Sequence, residues 1–457
     1  MRIDAQLKAQ GVAKNIARMW ELSARKIKAI EKTWQPAQGA PVFTVKGRYT
    51  SKGWTEWTQG FQYGAALLQF DATGDRAFLR LGRENTLRRM APHLTHFGVH
   101  DHGFNTISTY GNLLRLMQEG RIAENEWERA FYGLALKVSG AVQARRWTRI
   151  NDGGFIYSFN GPHSLFADTI RSLRVLAAAH RLGHALLDEH DERVALLERL
   201  VQHARATAAY SVYYGTGRDA YDLRGRVAHE SIFNVNDGRY RCPNSQQGYS
   251  PFSTWTRGLA WIMLGFAEEL EFLATVADAD LTALGGRTKI ERCLRQAAQA
   301  TCDFYLKNTP LDGVPYWDTG APGLSALGDY LNRPADPYNE REPVDSSAAA
   351  IAAQGLLRFG RYLLEKKVKG GARYWQAGLT VLTTLLHEPY LATNERQQGL
   401  LLHSIYHRPN GWDYIPPRRA VPCGESSMWG DYHLREAALY VQRIARHEPY
   451  LAFWNIA

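Results

Sequence analysis

The sequence predicts an all-α fold, a ring of about twelve helices arranged as hairpins, and three observations predict it. Apolar residues recur at helical spacing from end to end, and alternating β patterns are scarce. Loops rich in Gly, Pro, Asn and Asp separate the periodic stretches, giving a helix-loop-helix rhythm of about 35 to 50 residues without a close repeat.

The first thirty residues form a mixed-charge amphipathic stretch that reads as the first helix. Periodic segments follow at 61–71, 75–90, 106–118, 124–144 and 166–182. Residues 184–210 place Leu186, Leu187, Val194, Leu197, Leu200 and Val201 on one face and are expected to be one helix. Further helices are expected over 256–274, 289–306, 346–365, 372–386 and 432–446. The best strand-like runs, VFTV near Val42 and GFIYSF at 154–159, read as hairpins within loops. Long loops at 151–163, 216–251, 308–343 and 408–424 are expected to gather at one mouth and carry function. No shift in composition cuts the chain, so residues 1–457 are expected to form one domain. A solenoid is the alternative architecture. A closed ring buries the inner helix faces without capping repeats, which suits a chain that is helical near both ends.

With 45% hydrophobic residues in 457, the chain has ample material for a large core, and a mainly disordered protein is excluded. The 13 Trp, 23 Tyr and 17 Phe either fill that core or line a cleft that stacks on flat ligands such as sugar rings. The net charge of +10 suggests an anionic partner. Because the Lys and Arg residues are dispersed, with no zinc-finger spacing, nucleic acid is not expected. Four cysteines without a CxxC pair make neither a disulfide framework nor a metal site, which fits a reducing compartment. The N-terminus lacks a signal-like apolar stretch and no window of about 18 apolar residues occurs, so a cytoplasmic protein without membrane contact is expected.

The sequence has no P-loop, no GxGxxG in a βαβ setting, no HExxH and no GxSxG. Its remaining chemistry lies in acidic and aromatic residues at helix starts. Asp101, in HDHGF, and Asp168, in SLFADTIRSLRVL, each follow a loop and open a helix. Each can be an N-cap. Projected from two inner helices toward one mouth, they can instead act as a pair of carboxylates for acid–base work on a sugar, one keeping its neighbour protonated. Arg257 and Trp261 stand four apart on one helical face, joining a carboxylate-binding fork to an aromatic plate. Trp57 and His229 have core or capping alternatives, and Asp431 reads as a cap at the start of the last helix.

From about Trp54 to Val441 these motifs, in this order, resemble the unsaturated glucuronyl hydrolases of glycoside hydrolase family 88. The resemblance rests on WTQGFQYG with ATGD at 72–75, HDHGF, ADTIRSLRVL, QGYSPFSTWTRGLAW, VDSSAAAIAAQGLL and SMWGDYHLREAALY. It implies an (α/α)6 barrel that acts on the 4,5-unsaturated uronic acid at the non-reducing end of oligosaccharides made by polysaccharide lyases, glycosaminoglycan fragments among them. In such a reaction an aspartic acid protonates C4, water adds at C5 and the hemiketal collapses, with no metal or organic cofactor. On this mapping Asp168 is the general acid and then base, while Asp101 is the second carboxylate, raising the pKa of its partner. His100, His229, Gln247, Arg257 and Trp261 resemble the substrate-contacting set, and Trp57 matches the aromatic that packs on the unsaturated ring. Ser426 and Ser427 fall near the family's contact with the uronate carboxylate. The expected partner is an unsaturated uronic-acid oligosaccharide, bound by a monomer or homodimer.

Several positions depart from the family pattern. Phe159 stands where many relatives have Trp, the interval from Asp101 to Asp168 is lengthened around 151–164, and Pro251-Phe252 replaces an acidic pair. Arg171 and Arg174 replace largely apolar or amide residues. These changes bear on which sugar neighbours the unsaturated ring. The alternatives are an unsaturated rhamnogalacturonyl hydrolase on the same barrel and, from another class, a non-catalytic binder of acidic oligosaccharides.

Overall fold

The computed structural model describes residues 1–53, 56–450 and 456; Trp54, where the resembling stretch begins, and the terminal Ala457 lie outside them. Among the described residues are twelve longer helices. They are α1 (Ala13–Thr33), α2 (Gln59–Thr73), α3 (Arg76–Arg89), α4 (102–118), α5 (Glu126–Arg145) and α6 (169–181). They continue as α7 (Leu196–Tyr210), α8 (Thr256–Leu273), α9 (Arg287–Lys307), α10 (Ser346–Glu365), α11 (Gly371–Leu385) and α12 (Met428–Ala445). A π-helical turn at Ile107–Gly111 interrupts α4, and α6 is built from Thr169–Ser172 and Arg174–Arg181.

The even-numbered helices touch in succession, α2 to α4, α6, α8, α10 and α12, and α12 returns to α2, closing an inner ring. The odd-numbered helices pack outside, α1 on α2 and α12, α3 on α2, α5 on α4 and α6, α7 on α6, α9 on α8 and α11 on α10. Composition explains the two layers. Every residue of α8 except Glu271 is buried, as are residues 428–443 of α12, whereas α9 buries one stripe that includes Ile290, Leu294, Ala298, Thr301 and Tyr305. Small residues let inner helices cross closely: a Cβ on Gly355 of α10 would lie 2.9 Å from the Leu264 backbone nitrogen of α8.

Short antiparallel ribbons decorate the ring. They are β1 (Phe43–Val45) with β2 (Arg48–Thr50), β3 (Trp147–Ile150) with β4 (Gly153–Ile156), and β6 (Ala185–Leu187) with β7 (Arg193–Ala195). A three-stranded sheet joins β5 (Ser164–Phe166), β8 (Glu230–Phe233) and β9 (Tyr240–Asn244) in the order β5-β8-β9. The expected hairpins near Val42 and at 154–159 correspond to β1–β2 and β3–β4. The expected helix over 184–210 is corrected: only 196–210 is helical, and 185–195 is the β6–β7 hairpin. Leu187 is 67% exposed while Val194 is buried, so the apolar residues of that stretch do not share one buried helical face, and His190 and Asp191 take left-handed backbone angles. No helix among the described residues is long and apolar enough to cross a membrane.

Every inner helix also carries buried charge. Arg171 of α6 pairs with Glu268 of α8 at 3.0 Å and Glu436 of α12 at 2.8 Å, and Arg174 lies 3.6 and 3.4 Å from the same two carboxylates. Arg358 of α10 meets Glu271 at 2.7 Å. A second group joins Asp71 of α2 to Arg115 of α4 at 2.8 Å and to Arg443 of α12, which also holds Glu119 at 2.7 Å. Burial pushes Glu268 up to about 7 despite its neighbouring arginines. Removing one member of such a network leaves its partners charged in a low-dielectric interior. Glu436→Gln is therefore expected to destabilise the fold by about 3–5 kcal/mol in denaturant unfolding, whereas a change under about 1 kcal/mol would mean the arginines are already compensated by Glu268.

Candidate active site

A cavity opens where the inner helices begin. Its lining comes from the segments that enter them: Trp57 before α2, His100 and Asp101 before α4, Phe159, Phe166 and Asp168 before α6, and Gln246, Gln247 and Trp255 before α8. Phe104 of α4 and Arg257 and Trp261 of α8 complete the floor, and Tyr406, His407 and Trp412 from the loop before α12 close one wall. Three of the four long loops expected at one mouth thus line it, 151–163, 216–251 and 408–424, whereas 308–343 supplies no lining residue, and the helices starting there direct their N-terminal, partly positive ends toward it.

Both aspartates occupy N-cap positions, yet neither side chain caps its helix. This separates them from Asp345, whose carboxylate caps α10 by accepting from the Ser347 and Ala348 N–H groups. Asp431 is no terminal cap; it lies inside α12 and accepts from the Leu400 and Leu401 N–H groups and the Tyr49 hydroxyl. His100 stands between the free carboxylates, its Nε2 at 3.0 Å from Asp168 Oδ2 and 3.6 Å from Asp101 Oδ1. All three are almost fully buried. The close approach of the two turns requires Gly103, where a Cβ would sit 2.1 Å from the Ser172 carbonyl oxygen.

His229 approaches from β8. Its Nδ1 accepts from the Gln246 and Gln247 N–H groups at 3.0 and 3.3 Å, so its proton resides on Nε2, which faces Asp168 Oδ1 at 3.9 Å. Burial pushes this histidine down to about 3, so it is a neutral donor at working pH. For His100, burial works against protonation, but Asp101 and Asp168 outweigh it and raise its pKa above the ordinary 6.5. Burial raises Asp101. Burial also pushes Asp168 upward, but the hydrogen bond and charge of His100 prevail and hold it below the usual carboxylate range. The tuning expected from sequence is thereby reversed in the free protein: the raised carboxyl is Asp101, because the histidine was not counted as a proton holder.

The aromatic walls are interlocked. Phe159 stacks on His100 at 5.7 Å, Phe166 packs against both His100 and His229, and Trp57 stacks on Trp429 at 5.1 Å. Trp261 lies between Phe104 and His433. Arg257 sits between the Trp255 and Trp429 rings, 4.7 and 4.9 Å from their centroids. Its terminal nitrogens bond Asp345 Oδ2 at 3.0 Å, Gln247 Oε1 at 3.0 Å, the Tyr406 carbonyl at 2.6 Å and the Ile405 carbonyl. The guanidinium therefore ties three loops into a wall of the cavity.

Ser426 and Ser427 are not among the cavity-lining residues. Ser427 caps α12 by accepting from the Gly430 N–H, and the Ser426 backbone exchanges hydrogen bonds with Thr44 in β1. The walls supplied by Phe104, Phe166, Trp255, Tyr406, His407 and Trp412 were not singled out from the sequence. Phe104 and Phe166 lie within the aspartate motifs, and His407 and Trp412 flank the start of the flagged 408–424 loop. His100, Asp101 and Asp168 offer ligand atoms within 4.8 Å of one another, the one such grouping among the described residues. The Nε2 proton of His229 keeps that side chain from acting as a fourth ligand. In hydrogen exchange, Arg257→Leu should accelerate the Ile405–Asp413 amides at least ~10-fold while leaving α8 protected; unchanged exchange would mean the Arg257 bonds do not restrain that wall.

No protein-family model matches the chain. Among curated proteins it is 28% identical over 404 residues to the unsaturated glucuronyl hydrolase of Bacillus sp. (strain GL1), covering 87% of this chain and 89% of that protein. It is 24% identical over 405 residues to the unsaturated chondroitin disaccharide hydrolase of Streptococcus pyogenes serotype M1, covering 87% and 84%. Among solved structures, the unsaturated glucuronyl hydrolase from Bacillus sp. GL1 superposes with a TM-score of 0.69 at 23% identity, over 94% of this chain and 97% of that one. The shared fold is the α/α barrel.

Proposed function

We propose that the chain is an unsaturated glucuronyl hydrolase of glycoside hydrolase family 88, which it resembles over most of its length, and that it removes the unsaturated uronic acid from oligosaccharide ends by hydrating the C4=C5 double bond. The observation that carries the mechanism is the buried His100–Asp168 contact at 3.0 Å with Asp101 beside it. The pair holds one transferable proton. In the free protein it rests toward His100, and an anionic sugar entering beside Asp168 shifts it onto that carboxyl, because a like charge raises a carboxylate's pKa.

Asp168 gives this proton to C4, and the Nε2–H of His229 faces the same carboxylate, where the two groups hold a water molecule for C5. As the water oxygen bonds to C5, its proton returns to Asp168, which regenerates the acid. The product is a hemiketal at C5. Its opening leaves a C5 ketone and moves the ring oxygen's bonding to C1 alone, so the C1 hemiacetal releases the remaining sugar with its glycosidic oxygen. Trp57 and Trp261 supply apolar faces for the ring, while Asp101 holds hydroxyls or water. A non-catalytic oligosaccharide binder needs these aromatic walls but has no use for a proton-sharing histidine between two uncapped carboxylates. The rhamnogalacturonyl alternative shares the chemistry and differs in the neighbouring sugar, which the panel below decides.

The test follows the loss of conjugated double-bond absorbance with unsaturated disaccharides from chondroitin, heparin, hyaluronan, gellan, alginate and rhamnogalacturonan. Turnover of a uronyl disaccharide is expected, and Asp168→Asn should reduce it at least ~10⁴-fold without unfolding the protein; binding without absorbance loss would overturn the hydrolase reading.

The pH dependence separates the proton's holders. Besides the two aspartates, Arg146 and His229 bear electrostatically on His100 or Asp168. Because the His100 pKa is raised, kcat/KM should persist above pH 6.5 and fall as His100 loses its proton. In His100→Asn the proton has only a carboxyl to occupy, so the alkaline fall should move to lower pH. An unmoved limb would show that His100 does not hold the catalytic proton.

A further inference from the structure

Gln143 lies on outer helix α5, fully buried and outside the cavity lining. Its Nε2 donates to the His100 carbonyl at 3.1 Å, and its Oε1 accepts from the Ser172 hydroxyl at 3.2 Å. The same hydroxyl accepts from the Gly103 N–H at 2.8 Å. A closed path therefore runs from the backbone of the His100–Asp101 turn through Gln143 and Ser172 back to the first residues of α4. Ser172 is one helical turn beyond Asp168, on the short helix that Asp168 opens.

Resting on the hydrolase reading above, we propose that Gln143 and Ser172 form a buried staple that fixes the Asp168 turn against the His100–Asp101 turn, and that both are positioning residues for the reaction. Neighbouring contacts from the same helix region show why Gln143 is special. Ser139 meets His102 Nδ1 at 2.8 Å, and Arg146 donates to the Phe97 carbonyl. Those two fasten the 97–102 loop to α5, whereas Gln143 also reaches across to α6. The bland alternative is that Gln143 merely satisfies two buried polar groups. It does so, but the groups it joins belong to the two turns whose separation sets the 3.0 Å contact of His100 with Asp168. A slip of about 1 Å would stretch that contact beyond hydrogen-bonding range. Gly103 packed on Ser172 prevents the turns from closing further, so the staple acts against opening.

The experiment compares Gln143→Leu, Ser172→Ala and the double variant with the wild type. Ser172→Ala deletes a single oxygen and keeps the comparison available if Gln143→Leu does not fold. The expected result is a kcat lowered about 10- to 100-fold with KM within about threefold, because the reacting groups are displaced while the sugar walls remain. The double variant should be no worse than the poorer single one, since both break the same path. A readout without substrate is the NMR titration of His100, whose midpoint above 6.5 should drop in each variant as its carboxylate contacts loosen. A folded Ser172→Ala protein with wild-type kcat and an unshifted His100 midpoint would overturn the staple, as would a loss confined to KM. A wild type inactive on every unsaturated uronide would instead overturn the hydrolase reading, and the His100 midpoints would still decide whether the staple positions the two turns.

Discussion

Six helices can surround one axis only if the groups facing that axis satisfy one another, and here those groups are charged. Arg171, Arg174, Glu268 and Glu436 link α6, α8 and α12, while Asp71, Arg115, Glu119 and Arg443 link α2, α4 and α12. Apolar contacts tolerate sliding, whereas a buried ion pair loses its compensation within an ångström or two. The pairs therefore hold the inner helices in register, and with them the helix starts from which the cavity is built. Arg171 is three residues from Asp168, so the lattice lies directly beneath the turn that carries the proposed acid.

Above that lattice the cavity lining is mainly aromatic, and the proposed chemistry depends on how one proton is shared. Two buried carboxylates alone would repel, and one would take up a proton in the manner the sequence suggested. Inserting His100 changes the solution. The histidine becomes easier to protonate, Asp168 is kept ionised in the free protein, and Asp101 carries the burial penalty. His229, with its Nδ1 engaged by two backbone N–H groups, offers only a donor face to the same carboxylate. The net charge of +10 has little part in this, because Arg257, the guanidinium lining the cavity, spends its terminal nitrogens on the protein's own loops.

Helix periodicity made most of the ring legible, because an inner or outer helix writes its burial into the chain at a fixed spacing. Asp101 and Asp168 were legible for a similar local reason, each standing where a loop enters a helix. The misread stretch at 184–195 had apolar residues at helical intervals, but in the hairpin Val194 is buried while Leu187 faces outward, a division that only packing reveals. Gln143 was invisible for the converse reason. Nothing near it in the sequence distinguishes it from any other helical amide, and its importance arises from two backbone segments brought to it by the fold. The wall at Tyr406–Trp412 likewise depends on Arg257 drawing that loop inward. Arg171 and Arg174, which looked like departures from the family pattern, find their explanation in Glu268 and Glu436 rather than in the sugar.

Asp168 is proposed to protonate an alkene carbon, and not the oxygen of a glycosidic bond. Turnover of an unsaturated uronyl disaccharide in D2O, followed by mass spectrometry and NMR of the released uronic acid, addresses it directly. The expected result is one carbon-bound deuterium at C4, a ketone at C5, and loss of the double-bond absorbance in step with release of the second sugar. Release of the second sugar with the double bond intact and no deuterium at C4 would contradict it.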